Sequence, residues 1–477
     1  MSRADGRPPQ GGEHRAPGTH RAPGTRRTKG ARRTIAALAA AVAVALVIVV
    51  TVAWTRGGLG SASSQGAGAN AGAGANAATS PAGSTGEISR TQSVPDPVQT
   101  HPGNAPDCPD TDCVSVLFNG DLLFHQRLWQ NFAGPDTSAT DGTAFDFDPL
   151  FEPMKRYMAA TDLSVCNFET PVAPRGGPYA DYPVFNIPPE VVDAAQHVGY
   201  TACTTATNHS WDRGAEGIAR LTGMLDAAGI RHTGAYTTEA ASTQPMVLDS
   251  PTGGGKVAVV AGTSALNGYK ADPDWMVDQL RGTGDSHHQS DIDRAVAKAK
   301  AAREQGADIV VATTHSVTEY IDYADSWQVS EMHALADTGA FDFIYGTGSH
   351  SAQPIEYYNG TWIVYGLGNA VTVTSSIPGH ESNNQGVTIR VQFAGKKGQA
   401  SSWRLNRIDW LPTASVRQGQ YRWCPLAEDR PDGACWGDDQ DAQVRQRIHD
   451  VLYRNNPDPN VVREWKITEE AAASSSK

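Results

Sequence analysis

The run Thr204 to Gly214 holds the side chains best suited to chemistry in this chain. Asn208 and His209 set a neutral oxygen donor beside an imidazole, and Asp212 follows three residues on, where it can orient that ring. An asparagine oxygen can bind a divalent ion, and a histidine can bind one or act on a leaving oxygen. The same residues also suit an ordinary strand-to-helix turn, with Asp212 capping the helix. The rest of the chain decides between these readings.

Similar side chains recur wherever a strand-like run ends. Asp121 follows 114–119, and Asn167 and Glu169 follow 163–166. His315 and Glu319 follow 309–313, and His350 follows 343–345. Any one of these is more often a turn residue than a ligand. Together they point to one shared cleft, because ligands in open α/β sheets bind outside the carboxyl ends of the strands. Helical patterns over 147–160, 189–198, 215–228, 291–305 and 327–338 alternate with the strands, which predicts an α/β fold with a largely parallel core. An Asn359-Gly360 hairpin and alternating residues over 387–410 add antiparallel strands, and a last helix is expected over 441–453.

The ordered segments Gly120-Asp121, Asn167-Phe168-Glu169-Thr170-Pro171, Asn208 to Gly214, His315 to Tyr320, Gly346 to Gln353 and Leu367-Gly368-Asn369 resemble the CapA/PgsA capsule-synthesis family of poly-γ-glutamate biosynthesis proteins. The domain of that family is related to calcineurin-like metallophosphoesterases. The resemblance covers about 114–372 and implies an α/β/β/α sandwich of the metallo-dependent phosphatase type, with a metal cleft between the sheets. It implies Asp121, Glu169, Asn208, His315 and His350 as metal ligands, His209 as the catalytic imidazole and Asp212 as its orienting acid. Asn167, Glu319, Gln353 and Asn369 are the expected substrate contacts. The implied cofactor is a divalent ion: Mn, Mg, Zn or Fe. Phosphoesterases of this type begin with Asp-x-His, whereas Leu123 stands here, with His125 two residues beyond as a substitute. Their His-Pro-His reads Gly348-Ser349-His350, and Ser316-Val317 replaces Trp-Gly. These departures leave open whether one ion binds or two, and whether the site turns over.

The 477 residues divide unevenly. Residues 1–33 are basic and rich in Pro and Gly, as expected of a disordered cytoplasmic segment. Residues 34–54 are apolar and long enough to span a bilayer, with Arg32-Arg33 on the inner side, and a cleaved signal peptide is the rival reading. Residues 55–106 are Gly/Ala/Ser-rich, as in a flexible tether. The CapA-like domain is expected over 107–412, an extension with a disulfide loop and helix over 413–467, and a disordered tail over 468–477. Net charge is −12 although the first segment is basic, so the outer part is acidic, which argues against nucleic acid as a partner. Cys108–Cys113 and Cys424–Cys435 read as local disulfides of an oxidising compartment. Cys166 and Cys203 lie inside strand-like runs and read as buried thiols, with a bridge between neighbouring strands as the alternative. Trp275 and Trp327 are either groove-lining or packing aromatics, and Tyr320 and Tyr323 are placed to border the cleft.

The expected protein is therefore a single-pass membrane protein with a cytoplasmic N-terminus and an outward-facing domain. It would serve capsule or envelope-polymer synthesis through a metal-dependent, phosphoesterase-like site. Its expected partners are the membrane, an anionic envelope polymer or its precursor, and membrane synthase subunits. The alternative is a non-catalytic polymer-binding subunit of a synthase or export complex.

Overall fold

The computed structural model describes residues 108–135, 143–316, 318–373 and 382–468. The basic segment, the span expected over 34–54, the tether and the tail beyond Thr468 lie outside the described residues. Among those described, no helix is long and apolar enough to cross a membrane.

In chain order the strands are β1 (Asp112–Leu122), a hairpin of β2 (Ala133–Pro135) and β3 (Thr143–Phe145), β4 (Leu163–Phe168), β5 (Ala202–Thr204), β6 (Arg231–Thr233), β7 (Met246–Asp249), β8 (Lys256–Thr263), β9 (Ile309–His315), β10 (Phe343–Thr347), β11 (Ile355–Tyr358), β12 (Thr361–Val364), β13 (Asn369–Val371), β14 (Gln385–Gly395), β15 (Arg404–Gln418), β16 (Gln420–Pro425) and β17 (Val462–Glu464). One sheet runs β16-β15-β14-β1-β4-β5-β6, with β13 beside β1 and β17 beside β15. The other runs β11-β12-β10-β9-β8-β7. In the first, β1, β4, β5 and β6 are parallel. In the second, β8, β9, β10 and β12 are parallel.

Side-chain alternation stacks these sheets between helices. Val257 and Val259 of β8 join Val114, Val116 and Phe118 of β1 in the core between the sheets. Their neighbours Ala258 and Val260 face outward onto Ile292, Ala295 and Ala299 of the helix His288–Glu304. The Phe118 ring lies 4.5 Å from that of Tyr345, across the gap between sheets. On the other outer face, Leu117 and Cys166 pack with Val191 and Ala195 of the helix Glu190–Val198 and Leu225 of the helix Gly214–Ala227. The architecture is a four-layer α/β/β/α sandwich, because strands with period-two apolar residues on both faces must be covered on both.

Parallel pairing aligns the strand ends into two facing rows. Asn369, Asp121, Asn167 and Thr204 are register partners across the first sheet. Thr263, His315 and Thr347 are register partners across the second. At Gly120 an added Cβ would sit 1.8 Å from the Gly368 carbonyl oxygen, so glycine permits the close approach that brings Asn369 beside Asp121.

Several details differ from the sequence expectations. The helix expected over 147–160 is three short pieces, Asp148–Phe151, Glu152–Met154 and Lys155–Ala159, with Pro153 in the middle one. Pro153 lacks the amide a continuous helix would need. Strand β15 crosses the boundary expected at 412, and β16 and β17 pair with it. Residues 413–467 thus complete the first sheet. Cys166 and Cys203 are a disulfide between register partners on β4 and β5, so the buried-thiol reading is corrected. Cys108–Cys113 and Cys424–Cys435 are bridged as expected. Trp275 packs against the cluster containing Ala206 and Ile218, and Trp327 lies against Gly282.

Candidate metal centre and cleft

Asp121, Glu169 and His350 meet at the carboxyl ends of the sheets, each offering a ligand atom within 4.8 Å of the others, and all are buried. The carboxylate of Asp121 accepts hydrogen bonds from Asn167 Nδ2 at 2.8 Å and from the Gly348 amide at 3.0 Å. His350 Nδ1 lies 3.0 Å from Asp121 Oδ2 and 3.0 Å from Asn369 Oδ1. Both partners are acceptors, so this nitrogen carries the proton. Nε2 then faces Glu169, 3.6 Å away, and Glu319, 3.9 Å away.

The donor set fits a divalent ion. Both Glu169 oxygens are buried with no hydrogen-bond partner. Such a carboxylate costs several kcal/mol of desolvation unless a proton or a cation compensates it. Burial raises the Glu169 carboxyl well above its ordinary value, against the pull of His350. Burial alone would lower His350, but Glu169, the Asp121 hydrogen bond and Glu319 outweigh it and lift the imidazole to about 10. A proton and a divalent ion answer the same concentration of negative charge. Two carboxylates and one imidazole suit Mn, Mg, Zn or Fe. His350 has φ of 52° and Tyr320, whose ring lies 5.5 Å from it, has φ of 67°. Left-handed backbone at two facing non-glycine residues is strain held by the surrounding contacts.

Asn208 and His315 are placed differently. His315 Nε2 lies 3.0 Å from Asn208 Oδ1, and its Nδ1 lies 3.1 Å from Thr347 Oγ1. The ring therefore donates through Nε2 and accepts through Nδ1. Burial drives it down to about 3, opposed by Asp121, so it is neutral. These two expected ligands satisfy each other beside the Asp121–Glu169–His350 group. Gly348 has φ of +80°, and a Cβ there would meet Ser316 O at 2.3 Å and His315 Nε2 at 2.7 Å. A side chain larger than hydrogen has no room at this position.

His209 and Asp212 form a second unit. His209 Nδ1 lies 2.8 Å from Asp212 Oδ2, which also accepts the Phe185 amide at 2.8 Å. The edge-to-face Phe185 ring, 4.8 Å away, holds the imidazole from the side. Nε2 is left as the free ring nitrogen in a cleft of about 440 Å³ that His209 lines with Asn208, Glu319 and His350. Gln353 does not line this cleft. It donates to the carbonyls of Ile321 and Tyr323 and accepts from Gln328, so it braces the loop that carries Glu319. Asn167 and Asn369, both at the end of the first sheet, touch Asp121 and His350 respectively. His125 is paired with Asp181 at 3.0 Å and stands apart from the three-ligand group, and Leu123 forms an apolar wall.

Residues 115–374 match the family described as bacterial capsule synthesis protein PGA_cap. The chain belongs to this family. A probable polyglutamine synthesis accessory protein of Mycobacterium tuberculosis is 30% identical over 228 residues, 47% of this chain and 59% of that protein. Capsule biosynthesis protein CapA of Bacillus anthracis is 25% identical over 311 residues, 62% of this chain and 70% of that protein. The calcineurin-like phosphoesterase YfkN of Bacillus subtilis aligns at 15% identity and a TM-score of 0.39, over 71% of this chain and 97% of that one. That likeness is too low to bear on function.

Within this PGA_cap domain, Asn267 is a cleft residue that the strand-end reasoning passed over. It lies just beyond β8 and contacts both Asn208 and His209 at 3.3 Å. The rule that found Asp121 and His315 applies to it equally. Phe185, Tyr182 and Tyr269 also line the cleft. They sit in irregular loops, where no periodicity marks them.

Proposed function

We propose that this chain is an envelope-polymer synthesis protein of the poly-γ-glutamate type whose cleft is a metal-dependent, phosphoesterase-like hydrolytic site. The observation carrying this reading is the buried, unpartnered Glu169 carboxylate facing His350 Nε2 beside Asp121. Asp121, Glu169 and His350 would hold a divalent ion, which would supply Lewis-acid activation of a phosphoester or related bond. The chain's own groups do the rest. Asp212 fixes the His209 tautomer and ring angle, and Nε2 is the atom that passes a proton to a leaving oxygen. Leu123 and Phe185 make part of the cleft wall apolar and keep water from that side. Glu319 and Asn208 contact the substrate's polar groups at the mouth.

The proposal retains the membrane anchor over 34–54, an outward-facing domain, an anionic envelope polymer or precursor as substrate, and membrane synthase subunits as partners. The bridging of all six cysteines supports an oxidising compartment. A second reading, a polymer-holding subunit without turnover, draws on the mutual hydrogen bond of Asn208 and His315, which leaves three ligands for an ion. Metal analysis of the purified chain, with turnover of bis(4-nitrophenyl) phosphate, tests the first reading. Bound metal is expected, together with a loss of roughly 10²–10⁴-fold in His209→Ala. Metal without any His209-dependent turnover selects the second reading. No metal at all sinks the first.

A further inference from the structure

Three tyrosines from three separate loops converge on the mouth of the cleft. Tyr182 follows β4, Tyr269 follows β8 and Tyr320 follows β9. Their exposures are 69%, 46% and 38%, which puts them among the few large apolar side chains that the described residues leave in water. Exposed aromatics gathered around one concavity mark a binding surface more than a folding need. Two of them are coupled to the chemistry beneath. The Tyr182 ring lies edge-to-face on Phe185 at 6.3 Å, and Phe185 lies edge-to-face on His209. The Tyr320 ring lies 5.5 Å from His350.

The charge of the lining narrows the ligand. Among the described residues, no lysine or arginine lines this cleft. Its polar groups are amides, imidazoles, phenols and the carboxylate of Glu319. A polyanion gripped along its length needs a row of fixed cations, and this mouth has none. What fits is a ligand with a flat apolar face for the tyrosine rings and hydroxyls at its edge for Asn208, Asn267 and the phenols. A neutral sugar ring has that form. The volume of about 440 Å³ falls within the range of small-ligand sites. The three disulfides fit an oxidising compartment.

We infer that the cleft mouth is a glycan subsite, which seats one neutral pyranose unit of an envelope polysaccharide on Tyr182, Tyr269 and Tyr320 and presents its linked group to His209 and His350. This rests on the reading of the cleft as an envelope-polymer site and departs from it on the ligand, since the mouth seats a neutral sugar and not the polyglutamate chain.

The test is calorimetric titration of the full chain with the N-acetylglucosamine tetramer, and separately with poly-γ-glutamate, each with and without EDTA. Tetramer binding is expected to persist in EDTA, to weaken at least tenfold in the double variant Tyr182→Ala/Tyr269→Ala, and to be retained in Tyr182→Trp. Circular dichroism on the double variant checks its fold, and both side chains are exposed enough to leave it intact. The inference is overturned if the tetramer does not bind, if the double variant binds it unchanged, or if poly-γ-glutamate displaces it in EDTA. Tetramer binding without phosphodiester turnover leaves the glycan subsite standing and removes only the hydrolase. Turnover without tetramer binding does the reverse.

Discussion

The Gly348 amide donates to both oxygens of Asp121, at 3.0 and 3.1 Å, across the gap between the two sheets. One backbone group thus fixes the first-strand carboxylate from the opposite sheet, and it does so from a residue that cannot carry a side chain. The contact belongs to the candidate metal centre as much as any of its three side chains does.

Gly348→Ala is therefore expected to damage both fold and site. The new Cβ would meet Ser316 O at 2.3 Å, and φ of +80° is unfavourable for alanine. A loss of roughly 2–4 kcal/mol in stability is expected, given the combined clash and strain. Thermal unfolding and metal content of the variant check this. Gly348→His, with a still larger side chain at this position, should bind no additional ion and should unfold earlier still.

Glu169→Gln separates the cost of the buried carboxylate from its use. Without added metal the variant should be as stable as wild type or more so, because a buried carboxyl with no hydrogen-bond partner on either oxygen is removed. Wild type should gain about 2.7 kcal/mol at a Mn concentration one hundred times its Kd. The variant should gain almost none. Melting curves with and without Mn give both numbers.

Glu331 supplies a pH signature away from the cleft. It is buried on the helix Ser326–Asp337, neither oxygen has a hydrogen-bond partner, and burial raises its carboxyl well above the ordinary range, with Asp291 and Asp325 adding. A raised carboxyl in the folded state means the fold holds a proton that the unfolded chain releases. Its contribution is present in full below the unfolded value and is lost as pH rises toward the folded value. Glu331→Gln should then stabilise by roughly 1–3 kcal/mol at pH 8, with the gap closing toward pH 4. Unfolding curves of the two proteins at both pH values check the sign.

The Cys166–Cys203 bridge ties neighbouring strands that carry Asn167 and Thr204, the next residues in the row. Replacing both cysteines with alanine should cost about 2–5 kcal/mol. Peptide mapping of the unreduced chain should find all six cysteines paired, in the three linkages described.

An α/β fold with a parallel core, and the address of the cleft, were readable before any coordinate, whereas the four layers were implied only by the family resemblance. Strand-like runs alternating with amphipathic stretches point to parallel strands, and parallel strands put residues such as Asp121 and Asn167, or His315 and Thr347, at the same end of a sheet. The short strands β6, β13 and β17 were not readable. Each has three residues, too few to show a period, and they pair only because longer neighbours are already in place.

What the sequence determined by itself was the chemical inventory and its order along the chain: carboxylates, amides and imidazoles, each following an apolar run. Local spacing is enough for that, because pleat and helix periods are short-range properties of the backbone. Only the tertiary structure decided how the inventory is spent. It paired Asn208 with His315, left Glu169 open to His350, filled the Gly348 position with the His315 ring, and drew Tyr182, Tyr269 and Tyr320 to one mouth. Those outcomes depend on side-chain direction across two separate sheets and on loops far apart in sequence, distances that no local pattern records.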